Sequence, residues 1–437
     1  MLDKIIDSLN KRRDLAGWTV RHLIRRGTQV YAVPRQTEAQ RAASIEQYEI
    51  DVLRRTTRVD GNEVVGNGNT TVLPGGNIES AIENAVLTAG LVANPVHTIP
   101  GPAPLPDVAL VDTDLQNDTA RVTRSVMEQI QASASQNSDV YLTAAECFGE
   151  VHTTHLVNSR EIDAEQETTQ INIEFVLHSK RGDQDVETFI EMRRRRVADL
   201  EIEKEMERRV RQTLDQFEII PAPSWHGPVV LRGGVLATFM AGDGLRGGVL
   251  HTLGDAEAKY GKYSAWEIGK SVFRSEVKGD PLTVWASRCI PYGIYSNRFD
   301  DEGLLAQRVE LIRNNELMAF AASQRYADYL GVPATGAFGG VEVPAGGTAA
   351  SALLEAPYVE IIQFSWFNPD FITGDFATEI RFGYLVENGV RKPFRGGQLV
   401  GNFMDALADV RWSTETGMFG NYLGPHTARF NQLKITG

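Results

Sequence analysis

NPDFITGDFATEIRFGYLVENG, residues Asn368 to Gly389, is followed shortly by RGGQLVGNFMDALADVRWS, Arg395 to Ser413. Both segments are β-patterned and punctuated by glycine. Glycine in such a pattern marks a backbone with positive φ or a close backbone approach, in the turns and bulges of a sheet. Neither run has the spacing of a phosphate loop or of a dinucleotide-binding turn. The two segments predict sheet architecture and name no chemistry.

Composition bounds what that sheet can belong to. A chain of 437 residues, 42% of them hydrophobic, is long enough for two or three domains and can fill more than one core. Its 44 Lys and Arg against 57 Asp and Glu give a net charge of −13, which argues against nucleic acid as a ligand, because phosphate binding draws on a basic surface. Apolar runs such as GGVLATFM fall well short of the roughly 18 residues that span a bilayer. The start, MLDKIIDSLNKRR, lacks the apolar stretch of a leader. The expectation is a cytoplasmic protein with no membrane partner. Cys147 and Cys289 stand far apart, too few for a disulfide framework and without paired spacing for structural zinc.

Along the chain, Leu2 to Arg13 reads as a short amphipathic helix, and GWTVRHLIRRGTQVYAV as two strands about an Arg-Gly turn, followed by strand-like IEQYEIDVLRRT. Ile78, Ala81, Ile82, Ala85 and Val86 share one helical face, and proline-rich ANPVHTIPGPAPLPD after them predicts an extended connection. A helix over about Asp118 to Gln136 follows. VHTTHLVNS and TTQINIEFVLHSK alternate with period two and predict a hairpin leading into one long charged helix, ETFIEMRRRRVADLEIEKEMERRVRQTLDQF. There Ile202, Met206, Val210, Leu214 and Phe217 form the apolar stripe, while Glu205/Arg209 and Glu207/Arg211 pair on a solvated face.

IIPAPSWHGPVVL reads as a boundary, after which the chain turns to glycine, aromatics and short β-like runs. Helices are expected around Gly234 to Lys259 and in DDEGLLAQRVELIRNNELMAFAASQRYADYL, and a mobile loop or lid around Phe338 to Ala350. The predicted fold class is α+β with two domains. Residues 1–220 form a mixed sheet with flanking helices, and residues 221–437 a mostly antiparallel, barrel-like domain with a few helices.

Candidates for chemistry are few. His152 and His155, three apart in a strand, point to opposite faces and cannot close on one metal. His251 has Asp255 one helical turn on and Glu257 nearby, but no second His or Cys close in sequence. Cys289 lacks a local nucleophile signature, and no G-x-S-x-G elbow occurs.

A resemblance adds to this reading. TGDFATEIRFGYLVENG, then FRGGQLVGNFMDALADV, then LGPHTARFNQLKITG resemble the C-terminal signature of the TldD/PmbA family. NRFDDEGLLAQRVELIRNNEL resembles that family's D-x-E-G element with its helix, and SQRYADYLGVPATGAF the segment ending in Thr-Gly. The family pairs a TldD-type metallopeptidase subunit, with HExxxH on a helix and a late Cys, with a PmbA/TldE-type subunit lacking the metal site. With His251 on the first His, this chain has Thr252 for the Glu, Ala256 for the second His, and Gly417 to Gly420 in the region of the Cys.

The resemblance thus implies a subunit without catalytic residues or a cofactor of its own. Its partner would be a TldD-type subunit carrying zinc, in a heterodimer, or a second copy of itself; the substrate would be an unfolded peptide, bound as an added strand on a sheet edge. It implies a cavity wall at Thr373, Gly374, Asp375, Phe376, Gly401 and Asn402. Two alternatives stand beside it: a self-sufficient peptidase with an atypical metal site at His251, Asp255 and Glu257, and a metal-free homodimeric peptide-binding protein. Trp366, Phe367, Phe371, Phe376, Phe382 and Tyr384 crowd one region, as an interface or as core packing on alternating strand faces.

Overall fold

The computed structural model describes residues 1–33, 36–58, 60–242 and 248–437. It opens with α1 (Leu2–Asn10), β1 (Leu15–Val33), β2 (Gln36–Thr57), β3 (Glu63–Val72), α2 (Ile78–Ala89), α3 (Thr113–Asn117) and α4 (Thr119–Ser135). Then come β4 (Tyr141–Asn158), β5 (Asp163–Arg181), β6 (Gln184–Arg194) and α5 (Ile202–Asp215). The six strands form one sheet in the order β3-β2-β1-β4-β5-β6, and every pair in it is antiparallel. This corrects the expected mixed sheet: two three-stranded meanders are joined along β1 and β4, which needs no parallel crossover.

One face of this sheet is apolar and carries the helices. Val20, Val30, Ile50, Cys147, Ile173 and Ile190 alternate onto it, and α2, α4 and α5 lay Val86, Ile130 and Met206 against them. The α2 contact is unusually close, for a Cβ at Gly66 or Gly68 would meet the carbonyl oxygens of Ala89 or Ala85 at 1.6 and 1.9 Å. The Arg26-Gly27 pair is likewise no turn. β1 runs straight through it, and a Cβ at Gly27 would meet Gly149 O at 2.6 Å, so the glycine serves a close strand approach.

The long charged helix is also corrected. Its first part is β6, whose Val186, Thr188, Ile190 and Met192 alternate inward, and the helix begins only at Ile202. Helical spacing after Ile202 had masked the period-two pattern before it.

The second half contains β7 (Trp225–Arg232), α6 (Gly233–Ala241), α7 (Val249–Leu253), α8 (Ala256–Tyr260), β8 (Val284–Ser287), β9 (Arg308–Arg313), β10 (Glu316–Leu317) and α9 (Gln324–Leu330). There follow β11 (Gly340–Glu342), α10 (Ala350–Leu353), β12 (Tyr358–Phe364), β13 (Asp375–Glu387), β14 (Val390–Phe394) and β15 (Gln398–Asn402). Last come α11 (Phe403–Ala408), β16 (Val410–Trp412), β17 (Thr416–Phe419), β18 (Tyr422–Pro425) and β19 (Thr427–Thr436). Of the helical stretch expected over Gly234 to Lys259, residues 243–247 lie outside the described residues.

β12, β7, β19, β15 and β13 follow one another, and β13 pairs back to β12, closing a barrel. Pairing is mostly antiparallel as predicted, with β12–β7 and β11–β18 parallel. Helix α6 plugs the barrel. Phe239, fully buried, packs its ring 4.8 to 5.9 Å from those of Phe403, Phe430, Phe367 and Phe376.

Two further expectations change. QRVELIRNNEL is a hairpin, because Asn314 and Asn315 at φ 46° and 75° supply the paired left-handed turn that joins β9 to β10. The expected lid at 338–350 contains β11, which is interior to the second sheet between β8 and β18, with Val341 and Val343 buried. Gly339 and Gly340 allow this, since a Cβ there would meet Ser287 O at 2.3 Å and Asn421 O at 2.6 Å.

Candidate functional site

The TGDF segment is a clamped turn. Asp370 accepts the backbone N–H groups of Ile372 and Thr373 at 2.8 Å each, and Gly374 takes φ 80°. Asn402 Nδ2 donates to Thr373 O at 2.8 Å and to Asp375 Oδ1 at 2.9 Å, while its Oδ1 caps α11 by accepting from Met404 and Asp405. Asp375 and Asn402 are opposed in the β13–β15 ladder, as are Phe376 and Gly401. A Cβ at Gly401 would meet the Phe376 ring at 3.0 Å, so the glycine makes room for a side chain that is barrel core. Four of the six crowded aromatics, Phe367, Phe376, Phe382 and Tyr384, are likewise buried; Trp366 remains 61% exposed.

His251, Asp255 and Glu257 do not converge as a ligand set. His251 is enclosed against Phe338, ring centroids 4.8 Å apart, and burial holds its pKa below the ordinary value. Asp255 caps α8 by accepting the N–H of Glu257 at 2.7 Å, and burial pushes its carboxyl up to about 6. Glu257 accepts the Tyr326 hydroxyl at 2.6 Å. Ala256 is fully buried and begins a new helix after Gly254. These residues do not fit a zinc site, and among the described residues no three His, Cys, Asp or Glu side chains gather for a metal. His152 and His155 bond separately, to Glu150 at 2.9 Å and Asp163 at 2.6 Å.

Sequence reasoning missed a cleft of about 1010 Å³ between β6 and α5 on one side and the barrel on the other. Six consecutive residues of β6, Phe189 to Arg194, border it. Side chains alternate across a strand, so a continuous run means that the edge of β6, unpaired beyond β5, faces the cavity. Each wall carries a buried carboxylate held by two arginines. Glu205 on α5 bonds Arg208 and Arg209, the latter at 2.6 Å; Glu360 on β12 pairs with Arg232 at 3.4 Å and Arg391 at 2.7 Å. Glu205 was expected on a solvated face and is only 7% exposed; its partnership with Arg209 was readable at i,i+4, its burial was not.

Burial leads the downward shift of the His426 imidazole, and the charges of Arg232 and Arg208 add to it. The two walls therefore meet electrostatically at one histidine. What the cleft offers chemically is a strand edge with no further strand beside it, two of whose carbonyls, Phe189 O and Arg193 O, accept from the Gln363 and Arg194 side chains, next to fixed positive charge.

Comparison with known proteins agrees with this architecture. Residues 228–437 match the PmbA/TldA metallopeptidase C-terminal domain. The chain superposes on the Thermotoga maritima protein TM0727, described as a modulator of a DNA gyrase, with a TM-score of 0.81 at 18% identity, covering 100% of both chains. TldE from Thermococcus kodakarensis superposes with a TM-score of 0.81 at 16% identity, again over 100% of both. At these identities the likeness is one of fold. Uncharacterized protein MJ0231 of Methanocaldococcus jannaschii is 24% identical over 183 residues, 36% of this chain; the match spans 40% of that relative's length.

Proposed function

Since the chain belongs to the TldD/PmbA family, we propose that it is the non-catalytic subunit of a two-subunit metallopeptidase that processes or degrades unfolded peptides. The observation that carries this reading is the state of the family's metal motif. Thr252 stands where the general base belongs, and Ala256, where the second ligand belongs, is sealed in the core at the start of a separate helix. Zinc and the chemistry it supplies, a polarised water for attack on a peptide bond, would reside in the TldD-type partner. This chain's contribution is to hold an extended peptide, which the open edge of β6 supports by strand addition.

The chain works in the cytoplasm under this reading, as domains of residues 1–220 and 221–437; no helix among the described residues is long and apolar enough to cross a membrane. Thr373–Phe376 and Gly401–Asn402 serve it as the frame of the barrel end.

The test is sedimentation and peptide cleavage by the chain alone, by a HExxxH-bearing family subunit alone, and by their mixture. The expected result is a heterodimer, with cleavage strongest in the mixture. Cleavage by this chain alone, with one equivalent of zinc lost together with activity in His251→Ala, would establish the self-sufficient peptidase instead.

A further inference from the structure

The cleft runs against the charge of the whole molecule. Nine Lys and Arg line it against six Asp and Glu, in a chain whose net charge is −13. The excess is built in, because each buried glutamate is shared by two guanidiniums, so each wall keeps one positive charge that its own carboxylate cannot neutralise.

These charges are available to a ligand. Arg208 is 55% exposed at its side chain, Arg391 45% and Arg232 38%. Arg232 Nε is a buried donor without a partner among the described residues. The side chain of Arg381, exposed on the same rim, takes part in no hydrogen bond or ion pair among the described residues. The positions also share one space: Arg208, Arg232, His426 and Arg194, the last residue of β6, all line the cleft, and the charges of Arg232 and Arg208 both bear on His426. The cationic spot therefore lies at the C-terminal end of the strand edge along which a peptide would run.

We propose that the cleft selects extended peptides bearing a carboxylate, received by Arg208, Arg232 and His426 beside the end of β6. The inference rests on the peptide-binding reading above and adds a charge preference to it. Guanidiniums suit this ligand because they offer forked N–H donors to a carboxylate while keeping their existing glutamate bond. The carboxylate can be a peptide C-terminus or an Asp or Glu side chain; both present the same two oxygens.

The experiment is fluorescence anisotropy of the full chain with four labelled unfolded peptides of one scaffold. They carry Gln with an amidated C-terminus, Gln with a free C-terminus, Glu with an amidated C-terminus, or Glu with a free C-terminus. The expected result is binding about tenfold tighter for at least one carboxylate source than for the amidated Gln peptide, a ratio worth about 1.4 kcal/mol. Which source gains identifies the group recognised. Arg208→Gln should shrink the ratio to about threefold or less, since Arg209 still holds Glu205 and the fold is spared; Arg232→Gln should do the same. Equal binding of all four peptides, or a preference unchanged in both variants, overturns the charge selection and leaves peptide binding standing. Binding of none of them, or of an oligonucleotide in their place, overturns both.

Discussion

Arg195 Nε donates to the carbonyl oxygen of Gly293 at 2.7 Å, tying the end of β6 to a loop nearly a hundred residues on. The same guanidinium donates to Ile294 O at 2.8 Å, Ser296 O at 2.6 Å and Thr169 O at 3.4 Å. Among the described residues it has no carboxylate partner, and burial pulls its pKa down to about 10, leaving it charged at neutral pH. Arg195→Lys should destabilise the chain by about 3 kcal/mol, because one ammonium cannot serve carbonyls fanned around a planar fork and several buried acceptors are orphaned. Urea unfolding measures this, and hydrogen exchange should quicken first over residues 293–296.

Asn402→Ala should cost about 1–2 kcal/mol, since the amide both caps α11 and clamps the Thr373–Asp375 turn. Asn402→Asp keeps the cap acceptor but loses both clamp donors, to Thr373 O and to Asp375 Oδ1, and sets a second carboxylate against Asp375, so at pH 7 it should cost at least as much as Asn402→Ala. If thermal unfolding at pH 7 found Asn402→Asp as stable as the wild type, the clamp would have no energetic weight of its own.

Glu302 gives the chain a pH signature. Burial, with help from Asp300, pushes its carboxyl up to about 7, although the Gln324 N–H it accepts works in the other direction. A carboxyl whose pKa is raised in the folded state stabilises that state below its unfolded value near 4.5; this contribution is lost as pH rises toward about 7. Glu302→Gln, which can still accept from Gln324, should be more stable than the wild type by about 1–3 kcal/mol at pH 8 and no more stable at pH 4. A pH-independent difference would mean that packing alone is responsible.

Phe239→Ala should cost about 3–5 kcal/mol, because the ring fills the centre of the barrel and four others would be left facing a cavity. Phe239→Leu should recover more than half of that in denaturant melts.

These positions differ in how legibly the sequence announced them. The face of α2, the span of α4 and the β4–β5 alternation were readable because each is a local period set by one buried side. β6 and β9 were not: short strands beside strong helical spacing lose to it, and the Asn314-Asn315 turn was the one local cue passed over. The TGDF and GN segments were rightly read as sheet. Their joining through Asn402, however, depends on a strand register that only the folded ladder fixes. The cleft was invisible for a related reason. Glu205 and Glu360 have no sequence relationship, and nothing about either reveals that their arginines look into the same space.

Strand β19, residues 427–436, is no trailing edge: it is hydrogen-bonded to β7 on one side and to β15 and β16 on the other. The barrel therefore cannot close during synthesis until those ten residues have cleared the ribosome. Through that interval β7 and β15 each wait with an unpaired edge and the Phe239 plug has no finished wall to seat against. A nascent chain stalled before Thr427 would be the form most in need of a chaperone.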